Sequence, residues 1–347
     1  MKEAQIKTMS PHEYLEYLQQ KEYGGVVPTF AADVGDVLTA SLIASLPQEH
    51  RAQLGQIAIG VLPTKSINAW VAPVPFGGEV IGFDFGTMSF LIALNKVLLS
   101  RITILGFEPT MEYEVAARRA RSIVKSFAGT DDLPRWPVSP RRLLIASALS
   151  NVQTAFVVGH ELGHVLLGHM KEPYFNEFRV AQLQEMEFRA DERGAELALA
   201  SFRRTHDPVS GTGDTTLAQA GVDIFTTYMI FMSRVLGGPV GTHTSSHPPW
   251  EARRERLRTR FRQEMTKEAQ LLSSMAEDIF EGFIEVLKAE EEEEAAPVVP
   301  EVAEAESGKS SARRTVAGAT KAKKRKIKSA GNTASKAAKA RKGKKRR

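Results

Sequence analysis

The spacing of apolar positions predicts a mostly helical chain with a short stretch of strand near its start. Ser10-Pro11-His12-Glu13 reads as a capping box with proline at the first helical position. The helix it opens is expected to end through Gly24-Gly25. Asp36 to Leu46 is expected as a second helix and Ile57 to Val61 as a strand. Phe90 to Leu105 is apolar but broken by Asn95, Lys96 and Arg101, which predicts an amphipathic or buried helix rather than a membrane span. Ser139-Pro140 starts a long helical region that runs towards the apolar stretch around residues 155–167. Val180 to Phe202 holds good helix formers and no proline, so a second long helix follows. Asp214 to Leu236 is an apolar helix whose Phe225, Tyr228, Met229, Phe231 and Met232 are expected in the core. Trp250 to Lys288 reads as one long charged helix, and no internal repeat is present.

One motif changes the picture. Gly159 to Gly168 reads G-H-E-L-G-H-V-L-L-G, and His160-Glu161-Leu162-Gly163-His164 is an H-E-x-x-H. Side chains four apart on a helix lie nearly above one another, so His160 and His164 can offer ring nitrogens to one ion at roughly 2.0–2.1 Å. Glu161 is then placed to take a proton from a water on that ion. The flanks Ala155 to Val158 and Val165 to Leu167 are apolar, so the motif is expected in a core, where two imidazoles and a carboxylate need partners.

A catalytic zinc takes a third protein ligand and keeps one position open. His169 lies five residues after His164, about 140° round a continuing helix. Gly168 suggests that the helix ends there, and His169 reads better as a capping histidine than as a ligand. Glu187 is the better candidate. It shares a helix face with Asp191, Gly194 and Ala195, small residues that permit close helix approach. Asp191 can then hydrogen-bond a ligating imidazole. Glu185 is the rival ligand.

These residues carry a family resemblance. H-E-x-x-H followed by Glu187-Phe188-Arg189-Ala190-Asp191 resembles the gluzincin peptidases of the M48 type, whose second helix reads E-x-x-A-D. Ser246-His247-Pro248-Pro249-Trp250-Glu251-Ala252-Arg253 resembles that family's H-P-P-x-x-x-R element. The resemblance implies that His247 and Arg253 bind substrate and steady the tetrahedral intermediate. Asn68-Ala69-Trp70, then a Gly-Gly turn and Val80 to Phe83, resemble the two strands flanking the cleft. By that likeness Asn68, Ala69 and Trp70 bind substrate, on an edge strand that pairs with an extended peptide. H-E-L-G-H followed by G-H is also similar to the ImmA/IrrE and Lit types. The membrane-embedded members of the M48 type carry hydrophobic spans, and none is read here. The stretch from Gly106 to Ser150 is longer than in that family. A zincin-like α+β fold is thus implied, mostly helical with a small mixed sheet beside the metal helix. The implied function is a zinc-dependent endopeptidase acting on protein or peptide substrates.

Composition adds two things. The chain has 347 residues, no cysteine and a formal net charge of +5. The missing cysteine excludes disulfides, thiolate zinc sites and a cysteine nucleophile. The N-terminus shows no apolar signal region, so a cytoplasmic location is the default. The charge is unevenly spread. Residues 308–347 hold 17 Lys and Arg and no acid, which leaves 46 − 17 = 29 basic against 41 acidic residues in 1–307. Three regions are therefore expected: a catalytic domain over 1–288, an acidic linker over 289–307 opening on Glu290 to Glu294, and a disordered basic tail over 308–347. Such a tail binds DNA or RNA phosphates without reading sequence, and would associate the protein with the nucleoid. The alternative function is a catalytically restricted regulatory or host-defence protein with one dedicated substrate, held on nucleic acid by the tail.

Overall fold

The computed structural model describes residues 9–22, 29–51, 56–74, 77–103, 106–129, 136–170, 180–205, 213–238 and 247–295. The chain divides into two units, Met1–Ala296 and Pro297–Arg347. The second unit lies outside the described residues, as do Gly24-Gly25, His206, His243 and Ser246.

The first unit is α+β and mostly helical, with one small mixed sheet. The strands β1 (Ile57–Leu62), β2 (Ala69–Pro73) and β3 (Glu79–Asp84) lie in the order β1-β3-β2. β3 is central, parallel to β1 (Ile59↔Ile81) and antiparallel to β2 (Val71↔Ile81). Strand alternation splits the side chains between two faces. Ile57, Val61, Ile81 and Phe83 enter the main helical core, while Ala58, Leu62 and Val80 face Leu15 on the other side. Leu15 belongs to α1 (Pro11–Tyr17), whose capping box forms as expected: Glu13 N donates to Ser10 Oγ at 3.3 Å, and Ser10 N donates to Glu13 Oε2 at 2.6 Å. Just beyond α1, Gln19 Nε2 donates to the Val61 carbonyl at 2.7 Å, so β1 is engaged by the first helical segment.

The 17-residue α2 (Thr29–Ser45) and the single turn α3 (Gln48–Arg51) also precede the sheet. Six long helices follow it: α4 (Phe85–Arg101), α5 (Tyr113–Gly129), α6 (Pro140–Leu166), α7 (Val180–Thr205), α8 (Gly213–Val235) and, after α9 (Trp250–Phe261), α10 (Lys267–Ala295). The interrupted apolar stretch of the sequence is thus the buried helix α4. α6 is the hub and packs on α4, α7, α8 and the sheet. By length and composition it could cross a membrane, but more than half of it is buried inside the fold, the character of a core helix. Three helices share a buried polar contact. Asn95 of α4 donates through Nδ2 to Gln153 Oε1 of α6 at 2.8 Å, and Tyr228 OH of α8 donates to Asn95 Oδ1 at 2.8 Å. All three side chains are fully buried, so each depends on the others for its hydrogen bonds.

One feature differs from the sequence expectation. Trp250 to Lys288 is two helices, α9 and α10, separated at Arg262–Thr266. Gln219 of α8 causes the break to be stable, because its amide serves the turn's backbone: Nε2 donates to Glu264 O at 2.6 Å and Oε1 accepts from Thr266 N at 2.9 Å. Thr266 then caps α10 by accepting from Ala269 N at 3.1 Å. Between Gly106 and Ser150 the described residues hold α5 and the start of α6, and α5 buries Ala116, Ala120, Ile123 and Val124 against α4 and α10. α10 carries the glutamate run as helix to Ala295, where Glu290 pairs with Arg118 at 2.7 Å and Arg121 at 3.2 Å.

Candidate metal centre

α6 begins on Ser139, whose Oγ accepts from Arg142 N at 3.4 Å, with Pro140 at the first position. It runs unbroken for 27 residues to a left-handed Gly168 at φ +75. α7 lies against it along a seam of small residues. A Cβ on Gly159 would stand 3.0 Å from Gly194 O, and one on Gly194 would stand 2.7 Å from His160 N. Only hydrogen at these positions lets the two backbones approach so closely, and that approach brings side chains of both helices to one point.

His160 Nε2 and His164 Nε2 lie 3.2 Å apart. Glu187 of α7 reaches both, with Oε2 3.5 Å from His160 Nε2 and Oε1 3.5 Å from His164 Nε2. Donors about 2.0–2.1 Å from one tetrahedral ion stand roughly 3.3 Å from each other. The three side chains therefore fit a zinc-sized cation. Glu187 Oε2 is also buried with no hydrogen-bond partner among the described residues, as a ligand oxygen would be. The rival Glu185 points elsewhere, being exposed and paired with Arg256 at 3.0 Å.

Behind the cluster, His160 Nδ1 stands 2.9 Å from Asp191 Oδ1, a carboxylate whose charge favours the proton on Nδ1 and leaves Nε2 to ligate. Asp191 is fully buried and gripped by both arms of Arg253, Nε to Oδ2 at 2.7 Å and a terminal nitrogen to Oδ1 at 2.5 Å. Burial alone would raise the Asp191 carboxyl, but the Arg253 charge and hydrogen bonds outweigh it and hold the group well below the usual carboxylate range. Arg253 is itself buried and stacks on the Trp250 ring, 3.8 Å from its centroid. Its guanidinium thus lies on the Nδ1 side of His160, away from the converging Nε2 atoms.

Burial opposes a charged His160, yet the Asp191 contact outweighs it and raises its pKa. At His164 burial, with its two histidine neighbours, outweighs the Asp191 charge and pushes the ring down to about 2, so it is neutral and able to ligate. Glu161 sits beside the cluster. Burial pushes its carboxyl up, opposed first by His160, and it accepts a hydrogen bond from the Val71 N–H of β2. His247 stands across Glu187, its Nε2 3.5 Å from Glu187 Oε1, with burial lowering its pKa. Pro248 and Pro249 lead from it into α9.

The structure brings together His160, Glu161, His164, Glu187, Asp191, His247 and Arg253. Asn68 and the first residues of β2 sit at the side of the site in different ways. Asn68 is exposed, its backbone tied to Thr87 Oγ1 and Asp84 N. Ala69 faces the main core, whereas the Trp70 ring packs with Leu15, Leu62 and Val80 on the opposite face of the sheet. His169, which the sequence reads as a capping histidine rather than a ligand, lies against the cluster as well. It is buried, and its Nδ1 lies 3.0 Å from His164 Nδ1. Burial, with the nearby Arg189 charge, pushes its pKa down to about 4. Its signal was the glycine before it.

Comparison with curated proteins and with solved structures finds no match. One family model does match, over residues 114–202, a span that takes in α5, α6 and α7 up to Phe202. It therefore contains His160, Glu161, His164, His169, Glu187 and Asp191, and stops short of His247 and Arg253. Over the helices that carry its donor cluster, this chain is similar to the IrrE N-terminal-like domain, a peptidase family of the ImmA/IrrE type.

Proposed function

We propose that this protein is a zinc-dependent endopeptidase that hydrolyses peptide bonds in protein substrates. The observation that carries the reading is the convergence of His160, His164 and Glu187 at zinc-like separations with a further carboxylate, Glu161, beside them. Zinc in such a donor set supplies Lewis-acid polarisation and an acidified water. Glu161 takes the proton of the attacking water and hands it to the leaving amine. Its pKa, raised by burial, favours that exchange. β2 is the edge strand of the sheet, with β3 on one side, and so offers an edge for an extended substrate beside Glu161. His247 is half-exposed and can donate to the carbonyl oxygen as it gains charge. Arg253 acts through Asp191 on His160 rather than on the substrate.

The M48-type likeness supports Glu187 as third ligand, and the ImmA/IrrE-type match supports the peptidase class. Metal analysis of the purified protein beside Glu187→Ala tests the site. About one zinc per chain, lost in the variant, is expected. Full zinc in the variant would move the third ligand to another residue, and no zinc in either protein would end the metallopeptidase reading.

A second reading is a catalytically restricted regulatory or host-defence protein with one dedicated substrate, held on nucleic acid by the 17 positive charges of residues 308–347. DNA affinity is expected to fall steeply with added salt and to vanish when residues 308–347 are deleted. Binding unchanged by that deletion would refute it. Cleavage of casein would favour a general protease over a dedicated one.

A further inference from the structure

We infer that His169 is a positioning residue for the metal centre: it accepts the Nδ1 proton of His164 and so aims the other nitrogen of that ring at the ion. The inference rests on the zinc reading above and adds to it a residue that neither ligates nor meets the substrate.

An imidazole that ligates through Nε2 carries its proton on Nδ1, and that proton needs an acceptor in a buried site. His160 has Asp191 at 2.9 Å. For His164 the group at Nδ1 is another imidazole, His169 Nδ1 at 3.0 Å. The backbone explains how it comes to be there. Gly168 takes a left-handed conformation, Gly168 N donates to Val165 O at 3.0 Å, and His169 N donates to His164 O at 2.9 Å. This is a Schellman ending, which folds the second residue past the helix cap back onto the side chain three positions inside it. In such endings an apolar pair frequently makes that contact. Here it is two imidazoles, edge to face at 69° with centroids 5.1 Å apart.

An apolar residue would suit the packing better. His169 is 5 % exposed, and its Nε2 is buried without a partner among the described residues. Burying that nitrogen is unfavourable, and within the described residues its Nδ1 contact with His164 is what offsets it. Nor is His169 placed to ligate. It faces the Nδ1 side of His164, whereas the donors converge at the Nε2 side, 3.2 Å from His160 Nε2.

The test uses the full chain, with zinc affinity read by chelator competition and geometry by the visible spectrum of the Co(II) form. His169→Leu is expected to weaken zinc binding about 10- to 100-fold. His169→Asn, whose side-chain oxygen can accept the same proton, is expected to recover most of it. Both variants should keep the wild-type Co(II) spectrum. Unchanged affinity in His169→Leu would overturn the inference while leaving the zinc site standing, and a changed spectrum would make His169 a ligand instead. If wild type binds no zinc, the metal reading itself fails. Should His169→Leu not fold, the zinc-loaded wild type still decides: a ¹⁵N coupling across the bond between the two Nδ1 atoms is expected, and its absence overturns the inference.

Discussion

Glu161→Gln is expected to retain its metal and to lose peptide hydrolysis by about two to four orders of magnitude, the usual contribution of a general base. The substitution changes little but chemistry. Glutamine has the same shape, can still meet the Val71 N–H, and leaves His160, His164 and Glu187 untouched. What it cannot do is bind and release a proton. Glu161 suits that task because it is not one of the converging donors, and because burial raises its pKa above that of an ordinary carboxylate. Metal content and turnover of a peptide substrate, measured on one preparation, separate the outcomes. Turnover retained with metal present would remove Glu161 from the base role. Loss of metal would make it a ligand.

Arg253→Ala is expected to destabilise the fold by about 3–5 kcal/mol and to weaken metal binding with it. Removing one member of a buried pair strands the other as an uncompensated charge. Asp191 is fully buried, and both its oxygens are spent on Arg253 and His160. Without the guanidinium its carboxylate either stays charged in a dry site or takes up a proton, and a protonated Asp191 holds His160 less firmly. Because the folded carboxyl titrates below its unfolded value, this stabilisation is present above about pH 4 and is lost as pH falls through the folded pKa. Arg253→Lys is expected to fall between, since an ammonium cannot grip two oxygens in a plane. Thermal unfolding and zinc competition measure both effects. A variant with wild-type stability and metal affinity but a raised KM would return Arg253 to substrate binding.

Much of this site was legible before any coordinate. The four-residue spacing of His160 and His164 dictates a shared helix face, and Glu187, Asp191 and Gly194 share a face by the same rule. The capping residues Ser10 and Ser139 announced two helix starts that the structure has. The parts that were not legible depend on pairings across the sequence. Arg253 and Asp191 stand 62 residues apart, and nothing local says that the guanidinium turns back towards α7 instead of outward to a peptide. Gln219 serves a break near Glu264 that composition alone hides. Trp70 is different, because strand alternation could have set it on the face opposite Val71. His169 lies between these cases: the helix stop at Gly168 was visible, but its backward fold onto His164 is a property of that stop rather than of the histidine.

The buried contact of Asn95, Gln153 and Tyr228 limits where this chain can change length. Gln153 stands seven residues before His160, nearly two turns, so both lie within about 20° on one face of α6. The otherwise apolar faces of α4, α6 and α8 could pack at several offsets, but sliding α6 by one turn would orphan three fully buried polar groups. The contact therefore indexes the helix, and the donors downstream are measured from it. A single residue inserted between Gln153 and His160 would swing both histidines by about 100° while the index held fast. That seven-residue interval cannot change length without carrying the donors off the face they share with Gln153.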